Sequence, residues 1–215
     1  SLAPAGRPLL VACPSCMLRL KQAQLHLKED PQAREAYERM WGRPVDPDLD
    51  IMHFFELLDG AFRAAPDPEL QTALKGLRFV PYYGCMLTRP PALRHAKNYH
   101  GLMEKVLSSC GAQPLVWGHP SKCCGTFLSV AKPAVVTPMV NQIIQGAIDV
   151  KADCIVTACA MCYLNLEIRC SLKHQLPIFH FSELLSIALG LGIKKSWLSR
   201  HLVDPVPLLK AKGFM

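Results

Sequence analysis

The stretch Cys154-Ile155-Val156-Thr157-Ala158-Cys159-Ala160-Met161-Cys162 decides how this chain is read. Cys154–Thr157 has the length and β-branched content of a buried strand, and Met161–Leu172 reads as a helix. A Cys-x-x-Cys pair therefore falls where a strand gives way to a helix. Free backbone N–H groups and the helix dipole stabilise negative charge at that point, which favours thiolates.

Two further cysteine loops lie upstream. Cys85 follows the strand-like run Gly76–Tyr83. After 37 residues comes Cys123-Cys124-Gly125, behind a short strand expected at Leu115–Trp117, and 34 residues separate Cys124 from Cys159. In open α/β sheets, ligands gather beyond the carboxyl ends of strands, so the three loops are expected to converge. Five thiols on three loops, two of them vicinal, are hard to explain as packing. Soft thiolates select iron–sulfur clusters, zinc or copper. A lone zinc ion takes four ligands in a compact site, which five widely spaced cysteines exceed.

The chain also repeats itself. Ala12-Cys13-x-x-Cys16-x-Leu18-x-Leu20 recurs as Ala158-Cys159-x-x-Cys162-x-Leu164-x-Leu166. Ile51-x-His53-Phe54-x-Glu56-Leu57-Leu58 recurs as Ile178-x-His180-Phe181-x-Glu183-Leu184-Leu185. Two matched blocks in one order predict two related halves. Cys13 precedes His53 by 40 residues, whereas Cys159 precedes His180 by 21, so an insertion is expected within residues 28–50, rich in proline and charge. Counterparts of Cys85 and of Cys123-Cys124 would fall before Ser1, the first of them by roughly 60 residues on the repeat logic, so the chain is expected to begin inside its first repeat. The expected organisation is the end of a first repeat over 1–75, a complete second one over 76–200 and a tail over 201–215 lying across the surface. Helices are expected at Cys16–Leu27, His53–Phe62, Leu93–Cys110, Pro133–Val150 and Ser182–Leu191, the last capped by Ser182, with a strand at Pro177–Phe179. The fold class is α/β, parallel sheets flanked by helices.

Composition narrows the function. Half of the 215 residues are hydrophobic, enough for a sizeable core. Ten cysteines in a chain with such a core point to metal-binding or catalytic thiols of a reducing compartment, not to a secreted disulfide scaffold. No apolar run approaches a membrane span, and no signal-peptide pattern is present in these residues. The net charge of +7 is scattered, without a basic and aromatic stripe, which argues against nucleic acid and fits an acidic partner.

Other candidates carry ordinary readings. Cys110, Cys154 and Cys170 fall on helix or strand positions and read as small buried hydrophobes. His53 and His180 each precede a helix and read as capping or core histidines. His119 and Lys122 stand near the vicinal cysteines, where each is either solvated or able to tune a bound group. Cys13 and Cys16 are half of a cluster site, a redox pair or a zinc pair.

The pattern Cys85, Cys123-Cys124-Gly125, Cys159-x-x-Cys162 resembles the cysteine-rich CCG domain of the B-type subunit of heterodisulfide reductase, and His180 to Leu185 with Val203-Asp204-Pro205 resembles the end of that protein. The second spacer is about a residue shorter than is usual there. The resemblance implies a noncubane [4Fe-4S] cluster held by Cys85, Cys123, Cys124, Cys159 and Cys162, with Cys123 and Cys124 at the reacting end. It implies a second cluster, or zinc, near Cys13 and Cys16. It further implies an oxidoreductase acting on disulfides or sulfur carriers, as in sulfur oxidation, within a complex of iron–sulfur and flavin subunits. The alternative it carries is an electron-transfer subunit of a lactate-, glycolate- or succinate-type dehydrogenase. Either would be cytoplasmic, or attached to a membrane through a partner.

Overall fold

The computed structural model describes residues 6–64, 69–88, 99–191 and 195–215. Two parallel sheets carry the chain. Strands β1 (Leu9–Val11) and β2 (Ile51–His53) form a two-stranded sheet in the first half. Strands β3 (Arg78–Tyr82), β4 (Gln113–Pro114), β5 (Cys154–Thr157) and β6 (Ile178–His180) form the second, in the order β4-β3-β5-β6. The expected α/β class with parallel sheets flanked by helices is the observed one.

The repeat holds to the residue. Leu9, Leu10 and Val11 pair with Ile51, Met52 and His53. Their repeat partners Ile155, Val156 and Thr157 pair with Ile178, Phe179 and His180. The helices after each Cys-x-x-Cys correspond too: α1 (Pro14–Glu29) is capped by Cys13 and α6 (Ala160–Arg169) by Cys159, both cysteines extended. The unequal spacing comes from a longer α1 and an added helix, α2 (Pro31–Trp41). The insertion expected within residues 28–50 is thus helical in large part. Asp30 accepts the Ala33 N–H at 2.9 Å, Pro31 fills the first turn and Gly42 ends the helix at φ +63°, a full set of start and stop signals.

Helices α3 (Phe54–Ala64) and α7 (Phe181–Ala188) start alike. The His53 N–H donates to Glu56 Oε1 at 2.9 Å, and the His180 N–H donates to Glu183 Oε2 at 2.8 Å. The His180 ring completes a capping box on α7, so His180 and not Ser182 is the cap. The repeated His-Phe-x-Glu is thus helix-start chemistry, as its ordinary reading held.

The four-stranded sheet is covered on both faces, which is why the central strands β3 and β5 are buried along nearly all of their length. Phe79, Val156 and Phe179 join a core that also takes Val11, Ile51, Phe55, Phe181 and Met103 of α4 (Leu102–Ser109), so the two halves share one interior. Phe55 and Phe181 meet at 4.6 Å between ring centroids. On the other face, Val80, Tyr82, Ile155 and Ile178 pack against α6 and α5 (Pro133–Asp149). The helix expected over Leu93–Cys110 begins at Leu102, with 93–98 outside the described residues. The expected strand at Leu115–Trp117 is displaced to Gln113–Pro114. A short helix, α8 (Lys195–Leu198), precedes the C-terminal segment. That segment forms α9 (Val206–Ala211) and buries Leu209 fully in the shared core, while Lys212 bonds the Gly76 carbonyl and pairs with Asp153 at 2.8 Å. The apolar Leu209 and Phe214 pull this segment inward from the surface position expected for it.

Candidate metal centre

The loops after β3, β4 and β5 meet at the carboxyl ends of the strands. The residues after β4 fold back over the end of β3. Tyr83 and Gly84 N–H groups donate to the Pro120 carbonyl at 2.7 and 3.2 Å, and Trp117 Nε1 donates to the Pro81 carbonyl at 2.9 Å. Cys123 and Cys124 are thereby returned from the sheet edge to its centre.

All five predicted thiols gather around Tyr82 and α6. The Sγ atoms of Cys124 and Cys162 lie 3.3 Å apart. Cys159 and Cys162 share a hydrogen bond, as do Cys85 and Cys123. Cys124, Cys159 and Cys162 are buried, while Cys85 and Cys123 are half-buried, so the cluster of thiols has one open side. The Tyr82 ring stands among Cys85, Cys123, Cys124 and Cys162, with its hydroxyl donating to the Lys122 carbonyl at 2.5 Å. Burial and then the surrounding sulfurs push the Tyr82 hydroxyl pKa far up.

The thiols polarise one another. The Cys162 hydrogen bond, with the backbone N–H groups of Cys162 and Met161, holds Cys159 down at about 6 against its burial. A Cys162 hydrogen bond, helped by Thr126 N–H and Asn165, holds Cys124 at about 7. The neighbouring Cys124 and Cys159 thiols, with burial, push Cys162 far up, and burial followed by Cys123 raises Cys85 to about 11. Backbone N–H groups at the start of α6 add to the Cys159 depression, as expected of that position.

Several groups that the sequence reading missed shape the site. Buried Asn165 donates to the Cys124 carbonyl at 2.7 Å and so ties α6 to the vicinal pair. Nothing local in the sequence marks it, because its partner is 41 residues away. Gly84 has φ +70°, and a Cβ there would lie 3.1 Å from Cys162 Sγ, so only glycine leaves the thiols their space. Gly125, at φ +77°, is pressed against Val136.

His119 packs on Gly146 of α5 and edge-on to Trp117, and the Lys122 amine is held by Gln142 at 2.5 Å. Cys110 and Cys154 are buried packing thiols, and burial raises Cys154 out of reach of ionisation and Cys110 to about 11. Cys170 is half-buried. Cys13 is half-buried and Cys16 exposed; they share a hydrogen bond that raises the Cys16 pKa, and Cys159 lies near enough to act on Cys16.

Behind the site lies a buried ionic network. His201 Nε2 is 3.0 Å from Glu183 Oε1, and its Nδ1 is 3.4 Å from Glu167 Oε1 on α6. Burial alone would lower the His201 pKa, but the two carboxylates raise it to about 9. Among the described residues no three His, Cys, Asp or Glu side chains form a ligand set for a single metal ion. The donor set itself is all thiol, the chemistry that iron–sulfur ligation requires, and its five members fit that group.

The sequence signature of the CCG cysteine-rich domain matches residues 79–167, which hold all five thiols. The chain is 24% identical over 216 positions to the 8-methylmenaquinol:fumarate reductase membrane anchor subunit of Wolinella succinogenes, covering 94% of this chain and 74% of that protein. It is 22% identical over 218 positions to the B-type subunit of the ferredoxin/F(420)H(2)-dependent CoB-CoM heterodisulfide reductase of Methanosarcina acetivorans, with 95% and 73% covered. The B-type subunit of the ferredoxin:CoB-CoM heterodisulfide reductase of Methanosarcina mazei is 23% identical over 217 positions, with 94% and 72% covered. The crystal structure of a hypothetical protein from Helicobacter pylori superposes with a TM-score of 0.64 at 14% identity, over 92% of this chain and 38% of that one, a likeness of fold. No helix among the described residues is long and apolar enough to cross a membrane. Residues 79–167 therefore match the CCG cysteine-rich domain, and over nearly its whole length the chain is similar to B-type heterodisulfide reductase subunits.

Proposed function

We propose that this chain is a redox subunit in which Cys85, Cys123, Cys124, Cys159 and Cys162 hold a noncubane [4Fe-4S] cluster that serves disulfide or sulfur chemistry. The observation that carries the reading is the convergence of five thiols from three loops on one open-sided centre. When bound, such a cluster supplies one-electron redox chemistry next to an accessible metal–sulfur surface.

The chain's own residues do the rest. Buried Cys124, Cys159 and Cys162 keep water from the inner side. The amide groups opening α6 offset thiolate charge. Asn165 fixes the vicinal pair and Gly84 keeps the Cys162 side clear. Cys85 and Cys123 line the open side by which a substrate would approach, so of the vicinal pair at the reacting end Cys123 faces the substrate and Cys124 backs it. Reduction of a disulfide takes two electrons and two protons and releases two thiols. In this reading the electrons come from iron–sulfur and flavin partner subunits, and the chain sits in the cytoplasm or at a membrane through a partner.

The similarity to a fumarate reductase membrane anchor subunit supports a second reading, an electron-transfer subunit without its own substrate. One experiment separates the two. Anaerobically purified protein is oxidised and followed by electron paramagnetic resonance with and without added thiol. A signal that shifts on thiol addition supports the disulfide reading. A cluster signal indifferent to thiol supports electron transfer alone.

A further inference from the structure

Helix α6 buries Cys162, Asn165, Leu166 and Glu167, yet Met161, Leu164 and Ile168 form an outward apolar stripe. A surface helix ordinarily turns a polar face to water, and an exposed apolar face of this kind marks an interaction site. The 3-10 turn at Thr126–Leu128, directly after Cys123-Cys124-Gly125, runs beside this stripe. Thr126 Oγ1 meets the Met161 carbonyl at 3.5 Å, and Arg169 Nε donates to Ser129 Oγ at 2.8 Å. Phe127 and Leu128 extend the apolar area on that flank. Leu202 extends it on the other, its N–H held by Glu167 at 3.0 Å. These six side chains are 44% to 66% exposed.

The surrounding charge is mainly of one sign, with Asp204 the exposed exception beside Leu202. Between Glu104 and Asp149 the sequence has no carboxylate at all. Glu167 is buried against His201, and Glu183 is committed to His180 and His201. Lys132 and Arg200 are exposed and Arg169 half-exposed, and none of the three has an ion pair among the described residues.

From this juxtaposition we infer that the face formed by Met161, Leu164, Ile168, Phe127, Leu128 and Leu202 is the docking surface for an electron-carrying protein whose contact face has an apolar centre and a carboxylate rim. Two of the three loops that carry the thiols also carry this face, so a protein seated there lies against the candidate metal centre. An apolar centre with a charged rim is the anatomy of a transient protein interface, the charge speeding encounter and the centre holding the complex. The inference rests on the proposed function for the partner's role as an electron carrier, but docking itself is measurable without the cluster.

The test is binding of an acidic ferredoxin to the full chain at low and high ionic strength, with iron content recorded for every sample. The expected result is binding that weakens with salt, falls at least tenfold in L164D/I168D and in K132E/R200E, and is unchanged in M40D on α2. A cationic cytochrome c is expected not to bind. Both double variants alter exposed positions, and circular dichroism checks their folding. Four results overturn the inference: no ferredoxin binding at low salt, equal binding by L164D/I168D, loss of a self-association in that variant, or loss of binding to phosphatidylglycerol vesicles, which would make the face a dimer contact or a membrane surface. Low iron with retained, patch-dependent binding would count against the proposed cluster and leave the docking face standing.

Discussion

The two halves of the chain build one unit twice and then use it differently. In each, a three- or four-residue strand leads through Cys-x-x-Cys into a helix, and a second parallel strand ends in a histidine beside a capping glutamate. In the second half Cys159 and Cys162 are buried under Tyr82 and the Cys123-Cys124 loop, whereas in the first Cys16 is exposed and Cys13 half-buried. The Cys-x-x-Cys helix start is therefore not a closed site by itself. The loops after β3 and β4 supply the other donors and the cover.

The capping glutamates diverge in the same way. Glu56 accepts from the Tyr99 hydroxyl at 3.1 Å, a neutral partner. Glu183 faces His201, an imidazolium shared with Glu167. The bond that Tyr99 makes to Glu56 is thus a hydroxyl's, whereas Glu183 belongs to a buried ion pair that fastens α6, α7 and the segment before α9 together.

The largest expected contrast is in metal retention. Cys162→Ser is predicted to lose nearly all iron, since Cys162 touches both Cys124 and Cys159. Cys16→Ser is predicted to leave the iron of the second-half site in place. Iron and acid-labile sulfide assays on the two variants read the difference.

Next comes the ion pair. His201→Ala leaves two buried carboxylates facing each other and is expected to cost about 3–5 kcal/mol in chemical denaturation. Tyr99→Phe, which removes only the neutral bond to Glu56, is expected to cost about 0.5–1.5 kcal/mol. Equal losses would erase the distinction between the halves.

Asn165→Ala leaves the Cys124 carbonyl without its buried donor and is predicted to cost about 1–3 kcal/mol and to loosen iron retention. Asn165→Asp, which keeps the shape but not the donor, should show the same loss.

A further expected effect is the pH dependence of stability, and its sign differs between the repeated strand-end histidines and His201. His201 is raised from 6.5 to about 9, so its contribution is complete below pH 6.5 and fades as pH rises through 9. Burial lowers His53 to about 4, so its contribution is present above pH 6.5 and fades as pH falls towards 4. Thermal melts across pH should lose the alkaline limb in His201→Gln and the acid limb in His53→Gln. Burial also lowers His180, which adds to the acid limb.

Much of this was legible in the sequence because it is local or periodic. The β5 boundaries, the paired register of the repeat and the five thiols all follow from short-range pattern. What the sequence hid depends on distance. Asn165, Tyr82 and His201 act on partners 18 to 41 residues away. The burial of Leu209 depends on a core that is assembled only in the folded chain. The α2 helix is different: its start and stop signals, Asp30, Pro31 and Gly42, are local and legible, set in a segment whose proline and charge otherwise read as an insertion.

The central claim is that five second-half thiols form one iron–sulfur site. Its most direct test is iron, acid-labile sulfide and zinc counted per chain in anaerobically purified protein. The account predicts about four irons and four sulfides per chain, lost together in Cys162→Ser. Zinc without iron, or iron that Cys162→Ser leaves untouched, would contradict it.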